Sequence, residues 1–137
     1  RIPTAKVFAF DTNKQAISLC QKMAKLNDVS DRVITGHFCD QEELKKIPIT
    51  VKGLIISDCE GYEKELFTKE ILPVLQNYDL LIELHDFIDI SISEHIYQLF
   101  EKTHEIEVIE SVDDIKKAKT YKYSELKNYD LATKKIL

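Results

Sequence analysis

One short stretch of the sequence combines a strand-like run with groups that can do chemistry. The run "LIIS", residues 54–57, leads directly into Asp58, Cys59, Glu60 and Gly61. Two carboxylates at the end of a buried strand can stabilise positive charge, take part in proton transfer or bind a metal ion. A helical pattern begins immediately afterwards, so Gly61 is expected to permit a tight turn from strand to helix.

Three other apolar runs end in the same way. The groups that follow them are Asp11, Thr12 and Asn13; then His37, Phe38, Cys39 and Asp40; then Glu83, His85 and Asp86. The carboxyl ends of parallel strands meet at one edge of a sheet, and ligands bind beyond that edge. We therefore expect the four groups to line one cleft, where functional ionisable residues gather.

Each of these residues can also serve the fold alone. Asp11 and Asp40 can cap the helices that follow them. Asp58 and Glu60 suit the positive N-terminus of the next helix, although that role explains one carboxylate better than two. His85 can be a buried histidine whose hydrogen bonds are satisfied. The sequence by itself leaves these structural roles open beside the functional ones.

The elements that would position these groups alternate between strand and helix. Apolar runs predict strands at residues 6–10, 33–38, 53–58 and 79–86, and alternation in "HEIEVIES" predicts a half-exposed strand at 104–111. Helical spacing predicts helices at 14–27 capped by Thr12 or Asn13, at 40–47 capped by Asp40, at 62–78 with a break before Pro73, and at 91–103 capped by Ser91 or Ser93. This alternation predicts an α/β fold whose mostly parallel sheet is covered on both faces.

Composition and charge narrow the class of protein. The 137 residues, 44% hydrophobic and 31% charged, suit one globular domain. No apolar run approaches the roughly 20 residues that cross a bilayer, and the net charge of −5 argues against nucleic acid as a partner. The odd number of cysteines, three, argues against a disulfide framework, and the absence of a CxxC pair argues against a zinc site. Reduced thiols favour a cytoplasmic location.

The segments "VFAFDTN", "DCEGYE" and "LLIELHD" together resemble the Rossmann-like S-adenosylmethionine-dependent methyltransferases, in particular the FkbM-type family. The Asp-x-Glu-Gly-x-Glu signature of that family and its Ile-Glu-x-His segment are matched by Asp58, Glu60, Gly61 and Glu63, and by Ile82, Glu83 and His85. The resemblance covers residues 6–110. It implies a three-layer Rossmann-like methyltransferase sandwich that O-methylates a sugar or another small metabolite, with a small molecule or glycan as acceptor.

The resemblance implies where S-adenosylmethionine would bind. Asp11 would accept hydrogen bonds from the ribose hydroxyls, with Thr12 and Asn13 beside it. Phe38, Cys39 and Asp40 would border the adenine. Asp58 would lie near the amino-acid part of the cofactor and its transferable methyl group.

The resemblance also implies the catalytic residues. A carboxylate at Asp58 would stabilise the cationic end of the cofactor. Methyl transfer to oxygen needs orientation and often a base, and Glu60 and His85 are the candidates for these roles. A divalent metal ion held by Asp58, Glu60, His85 and Asp86 is an alternative that we do not favour, because hydrogen-bonded carboxylates account for the same residues.

The resemblance implies that the strands of this chain are numbered differently from those of the family. The first strand of this chain would be the second of the family, whose first strand carries a glycine-rich loop. The chain has only three glycines and no GxGxxG motif. Because the family's first strand is central, its absence would separate the strands carrying Asp11 and His37 from those carrying Asp58 and His85. We expect residues 1–137 to be one partial domain of a longer protein, lacking the first and last strands and not necessarily active alone.

Two other classes of protein stay open at this stage. An NAD(P)-dependent oxidoreductase would place the ribose on Asp11, but it needs a GxGxxG loop and gives no role to Glu60 and Gly61. A non-catalytic Rossmann-like binding module would keep the fold without the chemistry, since a fold alone does not determine function.

Overall fold

The computed structural model describes residues 2, 4–48, 52–120, 122–130 and 132–133. The chain divides between Ile106 and Glu107 into two compact units. Each unit is described by itself. The first contains all the described strands and the candidate functional residues, and the described residues of the second include a helix and a 3-10 turn.

Short strands and helices alternate along the first unit, which confirms the predicted α/β arrangement. The strands are β1 (Val7–Phe10), β2 (Val33–Gly36), β3 (Gly53–Ser57) and β4 (Tyr78–Ile82). The helices are α1 (Lys14–Leu26), α2 (Gln41–Lys46), α3 (Glu63–Leu66), α4 (Leu72–Leu75) and α5 (Ile92–Phe100). The second unit contains α6 (Asp114–Thr120) and the 3-10 turn Ser124–Leu126.

The described strands form two separate parallel pairs. β1 pairs with β2, with Val7 opposite Val33, and β3 pairs with β4, with Ser57 opposite Ile82. The parallel direction agrees with the sequence prediction, but the pairs do not join into one sheet within the described residues. The strands that carry Asp11 and His37 therefore belong to one pair, and those that lead to Asp58 and His85 belong to the other.

The hydrophobic core of the first unit lies on one face of the β3–β4 pair. Its fully or largely buried members are Leu44, Leu66, Phe67, Ile71, Leu75, Ile92, Ile96, Leu99 and Phe100. Ile55 and Leu80 pack against this core, whereas Leu54, Ile56 and Leu81 stay exposed. Because strand side chains alternate between faces, the described residues cover one face of this pair, and the prediction of two covered faces is wrong for them.

Capping side chains fix the starts of the first two helices. The Asn13 side-chain oxygen accepts hydrogen bonds from the N–H groups of Gln15 (2.8 Å) and Ala16 (3.4 Å), so α1 begins at Lys14. The Asp40 carboxylate accepts one from the N–H of Glu43 at 2.9 Å, which confirms it as the cap of α2.

The predicted break in the third helix is also present. The chain forms α3 and α4 separately, and Pro73 lies in the first turn of α4. A proline at this position removes no intrahelical hydrogen bond, because the first N–H groups of a helix have no partner within it.

The strand predicted at residues 104–111 is wrong, since none of these residues is in a strand. Val108 and Ile109 are adjacent, and both are largely exposed, at 72% and 79%. Alternating residue types favour a strand only when a neighbouring strand offers its hydrogen bonds. In the described part of the chain, no helix is long and apolar enough to span a bilayer.

Candidate functional site

A tight turn connects β3 to α3. The N–H of Tyr62 donates to the carbonyl of Cys59 at 3.1 Å, and the two central residues, Glu60 and Gly61, have φ values of 51° and 98°. Positive φ at both central positions is typical of a type I′ turn, and glycine adopts it without strain. A Cβ on Gly61 would lie 3.1 Å from the side chain of Ile88. The prediction that Gly61 permits a tight turn is confirmed.

Beyond this turn, the first residue of α3 is a buried glutamate bonded to a buried histidine. Glu63 is 0% exposed and His85 is 4% exposed. The Nδ1 of His85 is hydrogen-bonded to Oε1 of Glu63, and the N–H of Gly61 donates to the same oxygen at 3.3 Å. A carboxylate accepts hydrogen bonds, so this contact places a proton on Nδ1 and fixes the orientation of the ring.

The other ring nitrogen of His85 faces the two carboxylates that end β3. Its Nε2 lies 3.5 Å from Oδ1 of Asp58 and 3.6 Å from Oε2 of Glu60. The Asp58 and Glu60 side chains are 58% and 77% exposed. The three predicted catalytic residues are therefore brought together, and we call them, with Glu63, the strand-end cluster.

The surrounding charges favour a proton on His85. The hydrogen bond that His85 donates to Glu63 raises the pKa of His85 most, burial opposes this, and the charges of Glu63, Glu60 and Asp58 raise it further. Such an imidazole can hold a proton, accept one at Nε2 when neutral, or offer that nitrogen to a metal ion.

Asp86 does not join the strand-end cluster. Its Oδ1 accepts a hydrogen bond at 2.9 Å from the N–H of Ser93, and its Oδ2 accepts another from the Ser93 hydroxyl. Asp86 therefore caps α5. Ser91 precedes the helix, but its side chain makes no capping hydrogen bond. The prediction that Ser91 or Ser93 caps this helix is wrong, because the acceptor comes from the preceding loop.

The residues predicted to hold the ribose lie at the end of β1. Asp11 is exposed, and its Oδ1 accepts a hydrogen bond from the N–H of Asn13 at 2.7 Å. Asn13 uses its side chain to cap α1, and Thr12 is exposed. No hydrogen bond or ion pair between described residues joins these three residues to the strand-end cluster.

The residues predicted to border the adenine lie at the end of β2. The rings of Phe38 and Tyr62 are 5.1 Å apart and tilted by 58°, so this strand end contacts the loop after β3. Burial, together with the nearby charges of Asp40 and Glu43, raises the pKa of Cys39 to about 11, which keeps its thiol protonated. Phe38 is 49% exposed and therefore available to a ligand.

The structure brings Asp58, Glu60 and His85 together, as we expected from the sequence, but the sequence analysis gave no role to Glu63. Glu63 belongs to the signature matched above, which was the available signal. Its position in the first turn of a helix is typical of a solvent-exposed acidic residue. Its burial against His85 depends on how β3 and β4 pair.

Comparisons of the chain with protein-family models, curated proteins and solved structures gave no match. The resemblance to FkbM-type methyltransferases therefore stays a prediction that rests on the sequence motifs.

Proposed function

We propose that this chain belongs to an S-adenosylmethionine-dependent methyltransferase that acts on a hydroxyl of a sugar or another small metabolite. The observation that supports this most is the strand-end cluster. Asp58, Glu60 and Glu63 of one motif meet His85 of the other, although Glu63 and His85 are 22 residues apart. The convergence of two motifs at the carboxyl ends of β3 and β4 is typical of a ligand site in an α/β fold.

Residues at the ends of β1 and β2 suit parts of the cofactor. Asp11 is exposed and has one carboxylate oxygen engaged by Asn13, which leaves the other for a ribose hydroxyl. The half-exposed ring of Phe38 offers an apolar face to an adenine. Asp58 adds negative charge for a cationic group. When bound, S-adenosylmethionine would supply an electrophilic methyl group.

The strand-end cluster would prepare the acceptor for this reaction. Nε2 of His85 would take the proton from an acceptor hydroxyl, and Glu63 would stabilise the resulting imidazolium through Nδ1. Glu60 is exposed and 3.6 Å from Nε2, so it would orient the same hydroxyl. Burial of the ring holds the base in one orientation, which lowers the entropy cost of reaching the transition state.

The location proposed for this enzyme is the cytoplasm. Cys20, Cys39 and Cys59 are all free thiols. Reduced cysteines are usual in that compartment and less so outside the cell.

Calorimetric titration of the purified protein with S-adenosylmethionine, and separately with NAD, tests this function. We expect saturable binding of S-adenosylmethionine and none of NAD. Asp11→Asn should weaken binding about tenfold, because it replaces a charged hydrogen-bond acceptor. Asp31→Asn, which alters an exposed acidic residue in the turn before β2, is the matched control and should bind normally.

Two results would contradict the proposal. Binding of NAD in place of S-adenosylmethionine would favour the oxidoreductase. Failure of a folded protein to bind either compound would favour the non-catalytic binding module.

A further inference from the structure

We propose that Asp58, Glu60 and His85 bind one divalent cation of a kind that accepts both nitrogen and oxygen ligands, such as Mn²⁺ or Zn²⁺. One ligand atom from each residue contributes, and the three atoms all lie within 4.8 Å of one another. Nε2 of His85 cannot bind the ion and accept a proton at the same time, so with the ion bound this nitrogen would be a ligand instead of the base proposed above. An acceptor hydroxyl would then lose its proton at an open coordination position of the ion. The test of the site needs no S-adenosylmethionine.

The two separations that involve His85 match those between ligands of one metal ion and are long for direct hydrogen bonds. Nε2 of His85 lies 3.5 Å and 3.6 Å from the two carboxylate oxygens, beyond the usual range for a strong hydrogen bond. Ligands about 2.1 Å from a tetrahedral metal ion are about 3.4 Å apart. The oxygens of Asp58 and Glu60 lie within 4.8 Å of each other, and because both side chains are exposed they can move to the separation that a metal ion requires.

The burial and orientation of His85 also favour a cation at this position. His85 is 4% exposed, and its Nε2 points between the two acidic side chains. Glu63 binds the opposite nitrogen of the ring. A histidine that binds a metal ion usually donates its other N–H to a carboxylate, which fixes the tautomer and the direction of the free nitrogen. Glu63 is therefore a positioning residue for the proposed site.

The set of ligands indicates which ions would bind. Mg²⁺ and Ca²⁺ prefer oxygen ligands alone, whereas one imidazole with two carboxylates suits Mn²⁺, Fe²⁺ or Zn²⁺. Two neighbouring groups are engaged elsewhere: Cys59 Sγ accepts a 3.5 Å hydrogen bond from Ser57, and Asp86 caps α5. Three protein ligands leave coordination positions for water or for an oxygen of a substrate.

Titration of the purified protein with Mn²⁺ alone, followed by electron paramagnetic resonance and calorimetry, tests the site. We expect one saturable Mn²⁺ per chain, displaced by Zn²⁺. The double variant Asp58→Asn/Glu60→Gln should weaken binding more than tenfold. Glu63→Gln should weaken it 10- to 100-fold, the range for loss of a carboxylate behind a metal-bound histidine.

The double variant Glu105→Gln/Glu107→Gln is the matched control, because it neutralises two exposed carboxylates at the same spacing. It should bind Mn²⁺ like the unaltered protein. Circular dichroism shows whether each variant is folded. The proposal is overturned if folded protein binds neither Mn²⁺ nor Zn²⁺ saturably, or if Asp58→Asn/Glu60→Gln binds like the control. Because S-adenosylmethionine is omitted, either result is independent of the test of the proposed function.

Discussion

At the scale of single residues, the candidate site depends on Glu63. A carboxylate that is 0% exposed is costly unless hydrogen bonds and a positive partner compensate for its lost hydration. Oε1 has the ring of His85 and the N–H of Gly61 as partners, whereas the buried Oε2 has none among the described residues. Polar groups buried at such a cost are typical of functional sites. Glu63 and His85 are therefore expected to act as a unit.

Cys39 provides a residue-scale prediction about pH. Its thiol pKa is raised from about 9 to about 11, first by burial and then by Asp40 and Glu43. In a variant that keeps Cys39 alone, Cys20→Ala/Cys59→Ala, alkylation by iodoacetamide at pH 8 should be at least tenfold slower in the folded protein than in urea. The rate should still rise tenfold per pH unit between pH 9 and 10, because the thiolate is the reactive form.

The same shift has a consequence for stability. A thiol whose folded pKa is raised stabilises the fold below its unfolded pKa, and this contribution is lost as pH rises from about 9 towards 11.

Equal alkylation rates for the folded and urea-unfolded variant at pH 8, with circular dichroism confirming the fold, would contradict the environment described for Cys39.

At the scale of secondary-structure elements, helix caps could be predicted from the sequence where the capping residue is adjacent to its helix. Asn13 and Asp40 stand directly before α1 and α2, so their caps could be predicted from the sequence. The cap of α5 could not, because Asp86 lies seven residues before its partner Ser93 and acts only once the intervening loop has folded. The strand predicted at 104–111 was wrong for a similar reason. A strand needs a neighbouring strand to accept and donate its hydrogen bonds, and the alternation of residue types does not show whether one is present.

The cap of α5 gives an element-scale prediction. Asp86→Ala should lower the free energy of unfolding by about 1 kcal/mol, the usual cost of losing an N-terminal capping acceptor. Urea denaturation with EDTA present measures this without interference from metal ions. Asp79→Ala, which removes a surface ion pair with Lys52 (3.1 Å), is the control and should cost less than about 0.5 kcal/mol. An Asp86→Ala variant as stable as the control would mean that Asp86 does not cap α5.

At the scale of the whole molecule, the direction and grouping of the strands followed from the sequence and the resemblance. Alternation of strands with helices predicted parallel pairing, and the resemblance predicted the division between β1–β2 and β3–β4. Coverage of both sheet faces could not be predicted reliably. Leu54, Ile56 and Leu81 have the residue types of a buried face, yet they are exposed among the described residues. An apolar residue type shows that burial is favourable, but the side chain is buried only if another helix or strand packs against it.

The proposed function requires the strand ends of the first unit to bind S-adenosylmethionine. The most direct test is to titrate ¹⁵N-labelled protein with this cofactor and follow the backbone amide resonances by NMR. We predict that the largest shifts fall in residues 11–13, 38–40, 58–61 and 83–86, and that Asp11→Asn needs about tenfold more cofactor for the same shifts. Shifts confined to other parts of the chain, or no shifts with a folded protein, would contradict the account.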